Sequence, residues 1–398
     1  MITPLDQALA QVRAKAVPLP AEDVPLAEAH GRVLAEAVRA RRDQPATDIS
    51  MMDGYALRAG DAGAALVVIG EVAAGDAPWS RALDAGQAAR IFTGAPLPSG
   101  ADCVVMQEHC VREGDHVRVQ QPPKEGQHIR RRGEELTAGA EALPAGTLLG
   151  AAELSLAGAC GVRSVRAHRR PRVALLVTGS ELVPVGEDPP PGKIVETNSL
   201  ALGALCAEAG ALVLRLGIAA DDVAQIAATL REAPADILLT TGGASVGDHD
   251  HAQDALERLG GALVFHTVAI RPGKPVLFGT AAAGRLVFGL PGNPAAATLA
   301  FELFVRLAIR IMAGDPRPER PRARARLRGT ITRVKGLTFF PRGRVSAEGA
   351  QLCFVPGGQQ SSMQIASWAG ANAVGVVPPG EGRIEDGSEL DVLLVGPL

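Results

Sequence analysis

The sequence predicts a multidomain chain of mixed class, α/β in its middle and β at both ends, on three observations. Its 398 residues suit two or three domains at about 150 residues each. From Arg172 to Ala313, continuous apolar runs alternate with helical patterns, the mark of a parallel sheet covered by helices. On either side of that segment, short β-type runs are separated by Gly, Pro and Asp turns, roughly eight to twelve residues apart. The 46 Gly and 29 Pro supply those turns.

Taken in order, residues 4–16 read as a helix, with Thr3 as its cap, Pro4 in its first turn and Leu5, Leu9 and Val12 on one face. Residues 40–136 read as a β-rich unit containing the runs Ala65–Ile69 and Cys103–Met106. Residues 137–167 are rich in Ala and Gly and hold one helical segment, Ala151–Ala159. Val173–Val177 is a strand apolar on both faces. A helix follows at 198–209, a strand at Leu212–Leu216, a helix from Asp221 to Arg231, a strand at Ile237–Thr240 and a helix from His251 to Leu259. Two strands, Val276–Phe278 and Leu286–Phe288, precede a long helix from Pro294 to Ala313. The segment PRPERPRARARL then reads as a linker or an entering strand. The remainder, ending in the alternating run Glu389–Leu394, reads as a small β-barrel or sandwich.

Composition excludes several function classes. Forty basic and 43 acidic residues give a net charge of −3, and aromatics are only 3%, so neither a basic nucleic-acid surface nor a base-stacking platform is expected. Five Cys, an odd number with no C-x-x-C, argue against a disulfide framework or a thiolate zinc site. The start MITPLDQALAQVRAKAV has no signal-peptide pattern and no apolar run is long enough to span a membrane, so the cytosol is the expected compartment. H-E-x-x-H, G-x-S-x-G, a strand-linked G-x-G-x-x-G and the P-loop motif are all missing.

Ligands of an open parallel sheet bind outside the carboxyl ends of its strands. Three such ends carry unusual loops: Thr178-Gly179-Ser180-Glu181; Gly242-Gly243-Ala244-Ser245-Val246-Gly247, followed by Asp248 and Asp250; and Pro291-Gly292-Asn293-Pro294, directly before a helix. Each alone also fits a tight turn or a helix cap. Together they point to a phosphate-bearing ligand, with Asn293 as N-cap and free helix N–H groups behind it. Arg271 and Lys274, braced by Pro272 and Pro275, suit an oxyanion. The carboxylates of Glu181, Asp221, Asp248 and Asp250 beside a phosphate suggest Mg²⁺, although Asp221 also fits a helix cap. In the β-rich unit, MDGYA (Asp53, Tyr55) and IFTGAP (Thr93) read as turns, and Arg131–Glu135 sets both signs of charge around a glycine.

The segments MDGYA, IFTGAPLPSGADCVVMQE, RRGEE, TGSEL, TTGGASVGDHD, RPGKP and GLPGNP occur in that order. In this the chain resembles the molybdopterin molybdenumtransferase family, which includes MoeA and the gephyrin E domain, over essentially its whole length. The resemblance implies four subdomains. A three-layer α/β molybdopterin-binding domain covers 168–315, with the helix of residues 1–20 packed on it. Residues 40–136 form the β-rich subdomain, 21–39 and 137–167 pair into a small discontinuous one, and 316–398 form the C-terminal β-barrel. It implies insertion of molybdate into adenylylated molybdopterin, with Mg²⁺ and release of AMP. It implies a homodimer in which the β-rich unit of one chain covers the α/β cleft of the other, which would make Asp53 and Thr93 functional.

The implied catalytic residues are Asp53, Thr93, Glu181, Asp221 and Asp250, with Glu181 and Asp250 on the metal. The implied ligand contacts are Gly242, Gly243, Ser245, Gly247, Arg271, Lys274, Pro291, Gly292, Asn293 and Pro294, with Arg342, Ser361 and Ser362 from the barrel. Molybdopterin adenylyltransferase and apo-molybdoenzymes are the implied partners. The chain departs from the family pattern at Thr267 and Arg271, where relatives often carry Lys, and at Ala295-Ala296, where they often carry Val-Ser. Two other readings share parts of this fold. A molybdopterin adenylyltransferase resembles the α/β domain alone and leaves the N-terminal motifs unexplained. A non-catalytic pterin-binding scaffold leaves the carboxylates unexplained.

Overall fold

A computed structural model describes residues 2–242 and 251–398. The chain divides into two compact units, one made of residues 1–22, 31–35 and 167–398, the other of 23–30 and 36–166. Helix α1 (Leu5–Lys15) opens the first unit, burying Ala8 and Val12 with Leu5 and Leu9 packed beside them. Thr3 is not its cap. Thr3 pairs with Val268 as an extended residue, its N–H donating to Thr267 O at 2.9 Å, so the N-cap position falls to Pro4.

The second unit is built on six strands: β1 (Gly54–Leu57), β2 (Ala65–Val72), β3 (Gln87–Ile91), β4 (Cys103–Met106), β5 (Cys110–Glu113) and β6 (His116–Val119). Their order is β4-β1-β3-β2-β6-β5, antiparallel except for the β2–β3 pair. Residues alternate between two apolar faces. Tyr55, Leu57, Cys103 and Val105 lie on one, Ala56, Val104 and Ile91 on the other. The same unit holds helix α2 (Ala151–Ala159) and an antiparallel pairing of Val38–Arg39 with Glu141–Leu143.

In the first unit, β7 (Arg172–Thr178), β8 (Leu212–Ala219), β9 (Ile237–Thr241), β10 (Ala262–Thr267), β11 (Pro275–Thr280) and β12 (Leu286–Leu290) form one sheet in the order β8-β7-β9-β12-β11-β10. The helices are α3 (Asn198–Glu208), α4 (Val223–Glu232), α5 (His251–Arg258), α6 (Pro294–Ala300) and α7 (Arg306–Met312), with a π-helical turn, Phe301–Val305, joining the last two. Val173, Leu175, Ile237 and Leu239 face α1, α3 and α6–α7. Ala174, Leu176 and Leu238 face Ile226 and Leu230 of α4 and Leu256 of α5. Strands covered on both faces must be apolar throughout, which is why VALLV and ILL are continuous runs.

Two features depart from the expected parallel sheet. Strand β11 is antiparallel to β12, because the short Ala281–Arg285 connection allows a hairpin but no crossover. Strand β10, absent from the sequence reading, is an edge strand whose exposed Ala262 and Leu263 deny it a buried-strand signature.

Strands β13 (Arg322–Leu327), β14 (Arg342–Glu348), β15 (Gln351–Pro356), β16 (Ala373–Val376) and β17 (Glu389–Leu394) close into a barrel around Leu327, Val345, Phe354 and Val392. Closure leaves no free edge, and it decides between the barrel and sandwich alternatives.

Candidate active site

A cleft of about 410 Å³ lies at the carboxyl ends of β7, β9 and β12. It brings together Glu181, Gly242, Pro291, Gly292, Asn293 and Pro294, residues drawn from all three of the predicted loops. Gly242 is required here. Its φ is +95°, and a Cβ would stand 2.1 Å from the Thr178 carbonyl oxygen. Asp221 lies beside the first loop, its Oδ2 accepting from the Ser180 N–H at 2.9 Å. It does not cap the following helix. That role belongs to Asp222, whose Oδ1 accepts from Ala224 N and Gln225 N. Lys193 Nζ donates to the Ser180 carbonyl and fixes the same loop from its other side. Gly243, Ser245, Gly247, Asp248 and Asp250 lie outside the described residues.

A second cavity, about 630 Å³, adjoins the first, since Pro291 and Asn293 line both. Its walls carry Arg271, Lys274, Gln360, Ser361 and Ser362. Arg271 and Lys274 are exposed, and the Arg271 guanidinium lies 5.5 Å from the Phe339 ring centroid. Gly273 between them has φ +90°, and a Cβ there would crowd Ala296 O at 3.2 Å.

The start of α6 differs from expectation. Asn293 makes no cap bond, and its Nδ2 donates to Ser362 Oγ at 3.3 Å. Ala295 N donates to Ser362 O, and Ala296 N and Ala297 N donate to Asn293 O. Those N–H groups are therefore spent inside the protein rather than offered to an anion. The barrel loop that takes the Ala295 N–H also passes over Arg342, which is fully buried and lines neither cavity. Its Nε donates to Ser367 Oγ at 3.0 Å and its Nη2 to Ser361 O at 3.1 Å. Burial pushes the guanidinium down to about 10.

Asp53 and Thr93 meet in the other unit. Thr93 donates both its N–H and its hydroxyl to Asp53 Oδ1, each at 2.8 Å. These bonds, the backbone one foremost, hold the exposed Asp53 carboxyl below the usual carboxylate range. Arg90 donates to Gly54 O at 2.9 Å and lies over the rings of Tyr55 and Phe92. In the RRGEE segment the charges pair locally: Arg130 with Glu135, Arg131 with Asp48 and Arg132 with Asp43.

Residues 3–161 match a family model described as the MoeA N-terminal region (domain I and II), 174–311 one described as "Probable molybdopterin binding domain", and 324–395 one described as the MoeA C-terminal region (domain IV). A molybdopterin molybdenumtransferase of a Nostoc species is 38% identical over 94% of this chain and 88% of its own length. The chain belongs to the molybdopterin molybdenumtransferase family. The Bacillus subtilis molybdopterin molybdenumtransferase is 36% identical, over 94% of this chain and 90% of its own. A solved MoeA protein from Pyrococcus horikoshii superposes over the full length of both chains with a TM-score of 0.83 at 31% identity.

Sequence reasoning missed several residues that line the cleft. Asn198 is buried, and its Nδ2 donates to Gly292 O at 2.8 Å and to Thr241 Oγ1 at 3.0 Å. Thr241 in turn donates to Pro291 O at 3.0 Å, so the two side chains tie the ends of β9 and β12 together. Glu196 accepts from the N–H and hydroxyl of Ser199 at the start of α3. The cluster Glu-Thr-Asn-Ser before an apolar helix carried a signal, but one indistinguishable from a helix start.

Proposed function

We propose that this chain performs the metal-inserting step of molybdenum cofactor biosynthesis, taking adenylylated molybdopterin and molybdate, releasing AMP and yielding the active cofactor. The observation that carries the reading is the shared wall, Pro291 and Asn293, between a cleft holding Glu181 and Gly242 and a cavity holding Arg271 and Lys274. A substrate with a phosphate-linked nucleotide at one end and a dianion to receive at the other needs two such sites side by side. The names of the Nostoc and Bacillus relatives supply the reaction class.

The Glu181 carboxylate on the cleft wall is an oxygen ligand, which suits a hard cation. Glu181, with Asp250 as second carboxylate, would hold Mg²⁺ against the substrate phosphates, whose charge the ion would offset. Arg271 and Lys274 hold molybdate by charge-assisted hydrogen bonds. The protein works as a homodimer, in which the β-rich unit of one chain brings Asp53 and Thr93 to the cleft of the other. Asp53, held ionised by Thr93, remains a carboxylate across the physiological range. Adenylylated molybdopterin arrives from molybdopterin adenylyltransferase and the product goes to apo-molybdoenzymes, in the cytoplasm. No described helix is long and apolar enough to cross a membrane. The match of residues 3–161 to the MoeA N-terminal region favours this reading over an adenylyltransferase made of the α/β domain alone.

The test is Glu181→Gln. AMP release should fall at least tenfold and the Mg²⁺ requirement rise, with the melting temperature unchanged, because Glu181 sits on a loop. An unaltered Mg²⁺ titration would remove Glu181 from the site.

A further inference from the structure

Resting on that functional reading, we propose that Asn198 is a binding residue of the cleft, whose side-chain oxygen accepts a hydrogen bond from an N–H group of the bound heterocycle. The orientation of its amide is fixed twice over. Gly292 O, 2.8 Å away, can only accept, so the atom facing it must be Nδ2. Thr241 Oγ1, 3.0 Å from the same nitrogen, spends its own proton on Pro291 O and so toward Asn198 also accepts. With both nitrogen bonds committed to the protein, the amide cannot flip.

Oδ1 is the part left over. Among the described residues no hydrogen bond reaches it, and Asn198 lines the cleft. An amide oxygen with no proton of its own recognises donors only. Phosphate and molybdate oxygens, which are acceptors, gain nothing from it. The donors such a ligand carries are the ring and amino N–H groups of the pterin's aminopyrimidinone edge and the amino group of the adenine. A rigid, buried acceptor also discriminates, because a ring without the matching N–H leaves it unpaired.

The experiment measures binding of isolated molybdopterin and of AMP separately, by calorimetry, to the full chain as wild type, Asn198→Ala, Asn198→Ser and Thr241→Val. Loss of one hydrogen bond to a preorganised acceptor should weaken molybdopterin binding about tenfold in both Asn198 variants. AMP binding should be unchanged. Thr241→Val, which loosens the clamp but leaves Oδ1 in place, should cost less than threefold. A loss confined to AMP would support the acceptor role with adenine as the donor. Equal losses for both ligands, or a Thr241→Val effect as large as that of Asn198→Ala, would mean that Asn198 only braces the loops and would overturn the proposal. So would unchanged binding of both ligands. A wild-type chain that binds neither probe would overturn the functional reading of the cleft, and this proposal with it.

Discussion

Lys274 is the side chain whose loss should separate the two substrates. It is exposed at the cavity that adjoins the Glu181 cleft, on a loop whose shape depends on Gly273. Lys274→Ala should raise the molybdate concentration needed for half-maximal rate by roughly tenfold to a hundredfold, the value of one charged hydrogen bond, and leave adenylylated molybdopterin binding nearly unchanged. A molybdate titration at saturating pterin checks it. Thr93 is tested by contrast: Thr93→Val keeps the backbone bond to Asp53 but loses the hydroxyl bond, so activity should fall, and Thr93→Ser should restore it. At this scale the sequence was legible wherever chemistry forces a residue type. Gly242 had to be glycine because Thr178 O lies where a side chain would go. Asn198 was not legible, because an Asn at a helix start has an ordinary use as a cap, and only its distances to Gly292 and Thr241 set it apart.

Among the elements, β7 and β9 are locked at their starts by Asp236. Arg169 holds both carboxylate oxygens, at 2.6 and 2.8 Å, and the Arg172 N–H donates to Oδ2 at 2.8 Å. Burial pushes this carboxyl up, but Arg169 and the Arg172 amide outweigh it and hold it below the usual range. A depressed carboxyl contributes stability above the unfolded value, near 4, and loses it as pH falls through the lower folded value. Asp236→Asn should therefore cost about 1–3 kcal/mol at pH 7, with the gap to wild type narrowing at pH 3. Urea unfolding at the two pH values measures this. Element type was readable from the continuous runs of β7, β9 and β12, since a strand sandwiched between helices has no polar face. Strand direction was not readable at β11, because an apolar run carries no sign of whether a hairpin or a crossover follows. The start of α6 also escaped, because its Ala295 N–H is taken by the Ser362 carbonyl, far away in sequence.

For the whole molecule, composition shifts along the sequence point to unlike parts, and three different family models match over 3–161, 174–311 and 324–395. Composition carries no reason for the proposed catalytic role of Asp53 and Thr93, which lie far in sequence from the loops of the α/β cleft. The proposed homodimer, with a site shared between chains, would supply one. Mixing an Asp53→Ala chain with a Glu181→Ala chain should restore about a quarter of wild-type activity after subunit exchange, because half of the dimers are mixed and each of those has one intact site. A mixture as inactive as its parents would confine each site to a single chain.

In the proposed function this protein consumes adenylylated molybdopterin to insert molybdate. The direct measurement incubates the purified chain with adenylylated molybdopterin, Mg²⁺ and molybdate, following AMP release and the activity gained by an added apo-molybdoenzyme. AMP release and reconstitution should both require molybdate, and both should fall at least tenfold in Glu181→Gln. AMP release without reconstitution, or formation of adenylylated molybdopterin from molybdopterin and ATP in its place, would contradict the proposed function.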